Sequence, residues 1–222
     1  MAIKPILFNT EMVRAILDGR KTCTRRLVKP QWEECPVCRY VHDEYIYDKM
    51  AENVYCARCG YPLEPERRSP YQLGDILYVR ETWQYLYELD GNEQFIEVTG
   101  KYYYAATDTI PFNTYVDENG VEHDHAPWKP SIHMPKEAAR IWLKVTNVRV
   151  KRLQEMTQED AEKEGANEKV DPKTKFREST LLNFSRIWNS TIKKADLDRY
   201  GWNANPWVWV IEFERCEKPQ EV

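Results

Sequence analysis

Two C-x₂-C pairs constrain this chain more than any other feature. Cys35-Pro-Val-Cys38 is followed, after seventeen residues, by Cys56-Ala-Arg-Cys59-Gly60. This is the spacing of two zinc knuckles. A tetrahedral ion takes four soft ligands, and each knuckle supplies two thiolates. Protein fills all four positions and leaves none for water. The expected cofactor is therefore a structural Zn²⁺ held by Cys35, Cys38, Cys56 and Cys59; the alternatives are a redox pair or free thiols. Residues 31–70 also hold Pro36, Pro62 and Pro65, many charges and few apolar runs. They read as an insertion too small to hold itself without a staple. Cys23 and Cys216 lie outside the pattern and read as buried apolar residues.

The rest of the 222-residue chain is long enough for one domain with a sizeable core. NTEMVRAILD predicts a helix: Asn9 or Thr10 can cap it, and Met12, Ala15 and Ile16 make an apolar stripe. Gly19 suits its C′ position, and KTCTRRLV reads as a strand after it. Further strands are expected in YQLGDILYVRETW, after a Gly74-Asp75 turn, and in KYYYAAT; DENG is a turn between two short extended pieces. WKPSIHMPKEA is a Pro-punctuated loop, and ARIWLKVTNVRVKRL is a strand pair or one bent strand. MTQEDAEKEG predicts a helix capped by Thr157 and closed by Gly165, and residues 166–178 predict a loop. STLLNFSRIWNSTI predicts an amphipathic helix with Leu181, Phe184, Ile187 and Trp188 on one side. NPWVWVIEFERCE predicts a closing strand. Strands at both ends and in the middle, with few helices, predict a small mixed barrel of the α+β class.

Charge is unevenly spread. The net charge is −4, which argues against a broad duplex-binding face. Yet residues 1–30 carry seven cations against two anions, and four of the cations fall in GRKTCTRR, Gly19 to Arg26. A basic patch on an acidic body suits a nucleotide or compact polyanion site, and it also suits a solvated surface. Eight Trp and fourteen Tyr supply core area or stacking surfaces for bases. No stretch is apolar enough to span a membrane, and MAIKPILFNTE lacks a secretory pattern, so a cytoplasmic protein is expected.

The N-terminal helix followed by GRKT, with a second threonine two residues on, resembles the ASCH domain, a relative of the PUA-like RNA-binding fold. PILFNTEMVRAILDGRKTCTRR, GDILYVRETW, WKPSIHMPKEAARI, LQEMTQEDAEKEG and NPWVWVIEFE resemble bacterial and bacteriophage members in the expected order, over about half of the chain. The resemblance implies one ASCH/PUA-like domain over 1–222, with the zinc ribbon at 31–70 inserted. It implies a small β-barrel with flanking helices beside a cleft, and RNA or a modified nucleoside as partner. One subgroup hydrolyses N4-acetylcytidine with a lysine in GRKT, a threonine three positions on and a glutamate near the end of a later helix. The matching residues here are Lys21, Thr24 and Glu164.

That set is chemically coherent. Threonine becomes a nucleophile when a neighbour takes its proton, and lysine can do so if burial or nearby cations lower its pKa. Arg20 and Arg25 are such neighbours, and Glu164 can hold Lys21 or relay a proton. Glu164 lies at i+3 from Ala161, which faces the core, so it shares that face. Lys21 and Thr24 would point to opposite sides of an ideal strand, so Lys21 must lie in the turn or a bulge must intervene. The plainer alternatives are an anchoring lysine, an ordinary strand threonine and a solvated glutamate. Arg20, Arg25, Arg80 and His133 are the ligand-binding candidates: the first two could contact a phosphate or simply supply field and solubility, Arg80 could reach the cleft or form an ion pair with Glu81, and His133 could touch a base or phosphate or be structural. Trp83 either stacks on a base or packs in the core, and His123-Asp124-His125 superficially resembles a metal motif. Four functions follow: an amidohydrolase for N-acylated bases, a non-catalytic RNA-binding module, a ribonuclease using the same basic cleft, or an interaction protein using the ribbon.

Overall fold

The apolar run WVWVI near the C-terminus becomes the spine of a five-stranded sheet. The computed structural model describes residues 1–29, 31, 35–39, 45–48, 53–63, 69–89, 95–110, 115–117, 119–170, 173 and 177–220. Its elements begin with β1 (Ile3–Leu7), α1 (Thr10–Leu17), β2 (Cys23–Leu27), β3 (Tyr45–Asp48), β4 (Asn53–Cys56) and β5 (Pro62–Leu63). There follow β6 (Ile76–Arg80), β7 (Trp83–Leu89), β8 (Phe95–Tyr104), β9 (Tyr115–Val116), β10 (Glu122–His123) and β11 (Trp142–Arg152). The chain closes with α2 (Gln158–Lys163), β12 (Lys169–Val170), β13 (Arg177–Glu178), α3 (Thr180–Ser190), α4 (Leu197–Tyr200) and β14 (Trp207–Cys216).

The main sheet runs β1-β6-β11-β14-β2; β1 and β6 are parallel and the other pairs antiparallel. Alternate residues of β14 serve two cores, as a period of two requires. Trp207, Trp209, Ile211 and Phe213 join Ile6, Ile16, Leu77 and Leu143 in one; Val208 and Val210 join Leu153, Ala161, Phe184 and Trp188 in the other. That second core seats α2 and α3 on the sheet, beside β2. ARIWLKVTNVRVKRL is one bent strand, because the β11 register shifts between Val145 and Asn147.

The architecture is mixed α+β, but the barrel does not close. Its edge strands β1 and β2 form no ladder with each other among the described residues. Pro5 in the middle of β1 lacks an amide donor, as suits an edge. Among the described residues a side chain bridges the seam, Arg26 Nη2 donating to the Leu7 carbonyl at 3.1 Å. On its other side β1 is pinned by Asp75, in the expected Gly74-Asp75 turn. The Asp75 carboxylate accepts from Lys4 at 2.7 Å and from the backbone N–H groups of Ala2 and Gln72. Burial pushes its pKa up, but these bonds outweigh it and hold the carboxyl below the usual range.

The β7–β8 hairpin packs Trp83, Tyr85, Tyr102 and Tyr104 against Ile76, Tyr78, Met134 and Trp142, so Trp83 serves a core. KYYYAAT is strand only to Tyr104, and the chain turns after it. Between β9 and β10 the Gly120 N–H reaches the Asp117 carbonyl at 2.9 Å, a turn at the expected place. Within 166–178, expected as loop, β12 and β13 form a short ladder. In the insertion, β3, β4 and β5 form a small sheet, and Val54 of β4 reaches the main core. Pro65 lies outside the described residues. No helix among them is long and apolar enough to cross a membrane.

Candidate functional site

Two helix ends meet to build the site. Asn9 caps α1, its side chain accepting from the Met12 N–H at 2.9 Å. At the other end Gly19, with φ 75°, lets its own N–H reach the Ile16 carbonyl and that of Arg20 reach Ala15. This is a Schellman closure. Helix α2, capped by Thr157, ends the same way on Gly165, with φ 89°, and bonds from Gly165 to Glu162 and from Ala166 to Ala161. The two ends touch. A Cβ on Gly165 would lie 2.8 Å from the Ala15 Cβ and 3.4 Å from the Lys21 Cβ, so only glycine permits this approach. The turn after Gly19 is then stitched to both helices, with the Lys21 N–H on the Ala15 carbonyl and the Thr22 N–H on the Lys163 carbonyl, each at 2.9 Å.

Strand β2 therefore begins at Cys23, two residues later than expected. Lys21 lies in the turn, which removes the conflict over the two faces of the strand. Lys21, Thr24, Arg25 and Glu164 are 2–4% exposed. Lys21 Nζ donates to Glu164 Oε2 at 2.7 Å, to the Glu164 carbonyl at 2.8 Å and to the Cys23 carbonyl at 2.7 Å. Those three bonds use its three ammonium protons, and none is directed at Thr24. The Phe8 ring centre is 5.3 Å from the same nitrogen. Arg25 gives Nη1 to Glu164 Oε1 at 3.1 Å and Nη2 to Asp160 Oδ2 at 3.2 Å, while its buried Nε has no partner among the described residues. Two cations thus meet two carboxylates in a cluster with no net charge. The Cys23 thiol beside it is pushed up to about 12, chiefly by burial and then by the Glu164 carboxylate, so it stays protonated.

A cavity of about 170 Å³ opens against this cluster at the seam between β1 and β2. Thr24, Arg25 and Glu164 lie in its lining with the polar Asn9, Arg26 and Thr191, and Phe8, Met12, Phe184, Ile187 and Trp188 form apolar walls. The sequence reading brought Lys21, Thr24 and Glu164 to this place, but not Asp160. The signal for Asp160 was its position four residues before Glu164, which puts both carboxylates on one helix face. Arg25 is turned inward onto carboxylates and is not a surface anion contact. Arg20 is outside, bonded to Asp18, Asn167 and the Gly165 carbonyl. Neither Arg80 nor His133 lines the cavity: Arg80 donates to the Ile132 carbonyl at 3.2 Å, and His133 is exposed in a 3₁₀ turn. Glu81, the neighbour of Arg80, pairs with Arg140, which grips both Glu81 oxygens at 2.9 Å and stacks on Tyr104.

A second centre is the cysteine cluster. The sulfurs pair as Cys35–Cys59 at 3.7 Å and Cys38–Cys56 at 3.6 Å, and all four lie within 4.8 Å of one another. Four thiolates at ~2.3 Å from a tetrahedral zinc would be about 3.8 Å apart. Both knuckles turn alike. Arg39 (φ 57°) and Gly60 (φ 69°) each bond back to the first cysteine carbonyl of their pair at 2.9 Å. The donor set and spacing are thus compatible with a tetrahedral metal ion. No other group of three closely spaced His, Cys, Asp or Glu ligands occurs among the described residues. His123 and His125 instead line an open concavity of about 870 Å³, where His123 pairs with Asp117 at 3.2 Å. This concavity is larger than the cavity beside Thr24 but has no comparable cluster of buried charge among the described residues.

No family model matches the chain, and no significant match was found among curated proteins or solved structures.

Proposed function

We propose that this chain is a cytoplasmic ASCH-type protein with a PUA-like fold. It takes a modified pyrimidine base into the cavity beside Thr24 and hydrolyses an N-acyl group such as that of N4-acetylcytidine. The observation that carries the reading is that Thr24 and Glu164 share the lining of an aromatic-walled cavity, with Glu164 holding the buried Lys21 behind it. At about 170 Å³ the cavity is smaller than the ~300–1,000 Å³ of pockets that enclose drug-sized ligands. It suits one ring and its substituent, with the sugar outside. Because Lys21 and Arg25 are already neutralised, a neutral base fits the interior better than a phosphate. The ribonuclease alternative needs a net cationic cleft, whereas the buried cluster of Lys21, Arg25, Glu164 and Asp160 carries no net charge and Arg26 alone adds a cation to the lining. In the cysteine site we propose a structural Zn²⁺, which would staple the insertion.

In this reaction a proton passes from Lys21 to Glu164 along their 2.7 Å contact and leaves a neutral amine. The amine takes the Thr24 hydroxyl proton as the oxygen attacks the acyl carbon. The tetrahedral adduct collapses, the C–N bond breaks, and the Glu164 carboxyl gives its proton to the departing exocyclic nitrogen. Water then hydrolyses the threonyl ester, releasing the acid and restoring Thr24. A second reading has its own observation: the three protons of Lys21 are committed, one to the terminal carbonyl of α2, so Lys21 also serves as a helix cap. On that reading the protein binds the base without turnover.

The experiment is incubation with N4-acetylcytidine, other acylated nucleosides and mixed RNA, with product analysis. Turnover of a nucleoside that is lost in both Lys21→Ala and Thr24→Ala supports the amidohydrolase. Turnover unchanged in both variants removes the triad. Tight, salt-sensitive RNA binding without turnover favours the binding module.

A further inference from the structure

The charges behind the cavity form a row of alternating sign, and its outermost member has no part in the chemistry proposed above. Lys21 Nζ meets Glu164 Oε2 at 2.7 Å, Arg25 Nη1 meets Glu164 Oε1 at 3.1 Å, and Arg25 Nη2 meets Asp160 Oδ2 at 3.2 Å. Burial grades along the row. The side chains of Lys21, Glu164 and Arg25 are 0–3% exposed, whereas that of Asp160 is 23% exposed. Asp160 is outside the cavity lining, so it acts on a bound base only through Arg25 and Glu164.

The hydrolysis asks Glu164 to accept a proton from Lys21 and so to lose its charge for part of the cycle. Arg25 resists that step. Its guanidinium is 3.1 Å from the same carboxylate and too deep for water to take over, and a buried cation without a counter-charge is costly. Asp160 compensates. With its carboxylate on the other terminal nitrogen of Arg25, the guanidinium keeps a counter-charge while Glu164 is neutral. The remaining groups around Glu164 do not replace it. Arg26, which shares the lining, is a cation and works in the opposite sense. The Cys23 thiol, raised to about 12, stays protonated and neutral. From α3 come the apolar Phe184, Ile187 and Trp188.

We infer that Asp160 is a positioning residue for the hydrolysis: it holds and neutralises Arg25 so that Glu164 can take the Lys21 proton. This rests on the amidohydrolase reading above. One proton moves from the lysine nitrogen to the Glu164 carboxylate, and the net charge of the four side chains stays at zero throughout. Only the pairing changes. Two linked ion pairs become a neutral amine beside a neutral carboxyl, with Arg25–Asp160 left as the one ion pair of the row.

Steady-state hydrolysis of N4-acetylcytidine by the full chain tests it, with the uncatalysed background subtracted at each pH. Asp160→Asn keeps the shape and a hydrogen-bond acceptor but removes the charge. At pH 7 its kcat should fall about tenfold, the worth of one charge-assisted hydrogen bond. KM should stay within about twofold, because Asp160 is outside the lining. The deficit should narrow as pH rises toward 9.5, where hydroxide can take the lysine proton in place of Glu164. Asp160→Glu should keep most of the rate at pH 7. Adding Arg25→Met to Asp160→Asn removes the cation that needed the counter-charge and should recover most of the lost factor. A purely structural Asp160 would instead give a deficit equal at every pH and deeper in the double variant. Unchanged kcat in Asp160→Asn, or a pH-independent deficit that the Arg25 change does not relieve, overturns the inference and leaves Lys21, Thr24 and Glu164 standing. If Asp160→Asn alone fails to fold, the double variant decides: a kcat near the parent's supports the inference, and a loss at every pH overturns it. No turnover in the parent removes the hydrolase reading, and this inference with it.

Discussion

Replacing Glu164 with glutamine asks whether the buried charges hold one another in place. Glu164 is the shared partner of both cations, at 2.7 Å from Lys21 and 3.1 Å from Arg25. The Lys21 side chain has no exposed surface and that of Arg25 is 2% exposed, so water cannot take over. The substitution leaves Lys21 without a counter-charge and Arg25 with Asp160 alone. An uncompensated buried charge costs about 3–5 kcal/mol. Lys21→Met should be milder, because Glu164 keeps Arg25; losing the lysine's hydrogen bonds costs on the order of 1–3 kcal/mol. The double variant removes both charges together and should cost less than the two singles combined, with a coupling of about 2–3 kcal/mol. Urea melts of the full chain give these differences. In thermal melts Glu164→Gln should lower Tm by about 6–20 °C for a chain of this size. A loss near the ~1 kcal/mol of an exposed ion pair, or strict additivity in the double variant, would refute the claim that the cluster is an interdependent buried unit.

Gly165→Ala should destabilise more than Gly19→Ala. Both take a positive φ, at about 1–2 kcal/mol for an L side chain, but only the Gly165 Cβ would meet a neighbour, Ala15 at 2.8 Å. Thermal melts of the two variants isolate that packing difference, expected at about 1–3 kcal/mol. Metal analysis should find one zinc per chain, and chelation should strip hydrogen-exchange protection from the Arg39 and Gly60 amides while β14 keeps its own. The Cys23 thiol, raised from 9.0 to about 12, should resist alkylation at pH 8.5 where Cys216, less buried, reacts first. Its linkage has a definite sign. The folded state keeps a proton that the unfolded state releases, so this stabilisation is present below pH 9 and falls as pH rises toward 12. Stability of the Cys23→Ala variant should decline less steeply over that window.

Local chemistry made much of this molecule legible in advance. The C-x₂-C spacings announced the cysteine cluster, because two residues between thiols is the reach of a knuckle. Asn9, Gly19, Thr157 and Gly165 bounded two helices, because caps and positive φ are properties of single residues and their immediate neighbours. The run NPWVWVIEFERCE announced a closing strand, while its burial on both faces emerged with the two cores of the structure. What a residue type cannot carry is its partner. Arg20, Arg25 and Arg26 are chemically alike and nearly adjacent, yet one lies outside, one is enclosed by two carboxylates and one stands at a cavity mouth. Barrel closure was unreadable for the same reason, since it depends on whether β1 and β2, distant across the sheet, come into register. The close approach of Gly165 to Ala15 brings the two helix ends together and sets Lys21 against Glu164. Only tertiary packing decided that contact, because it joins residues 143 positions apart.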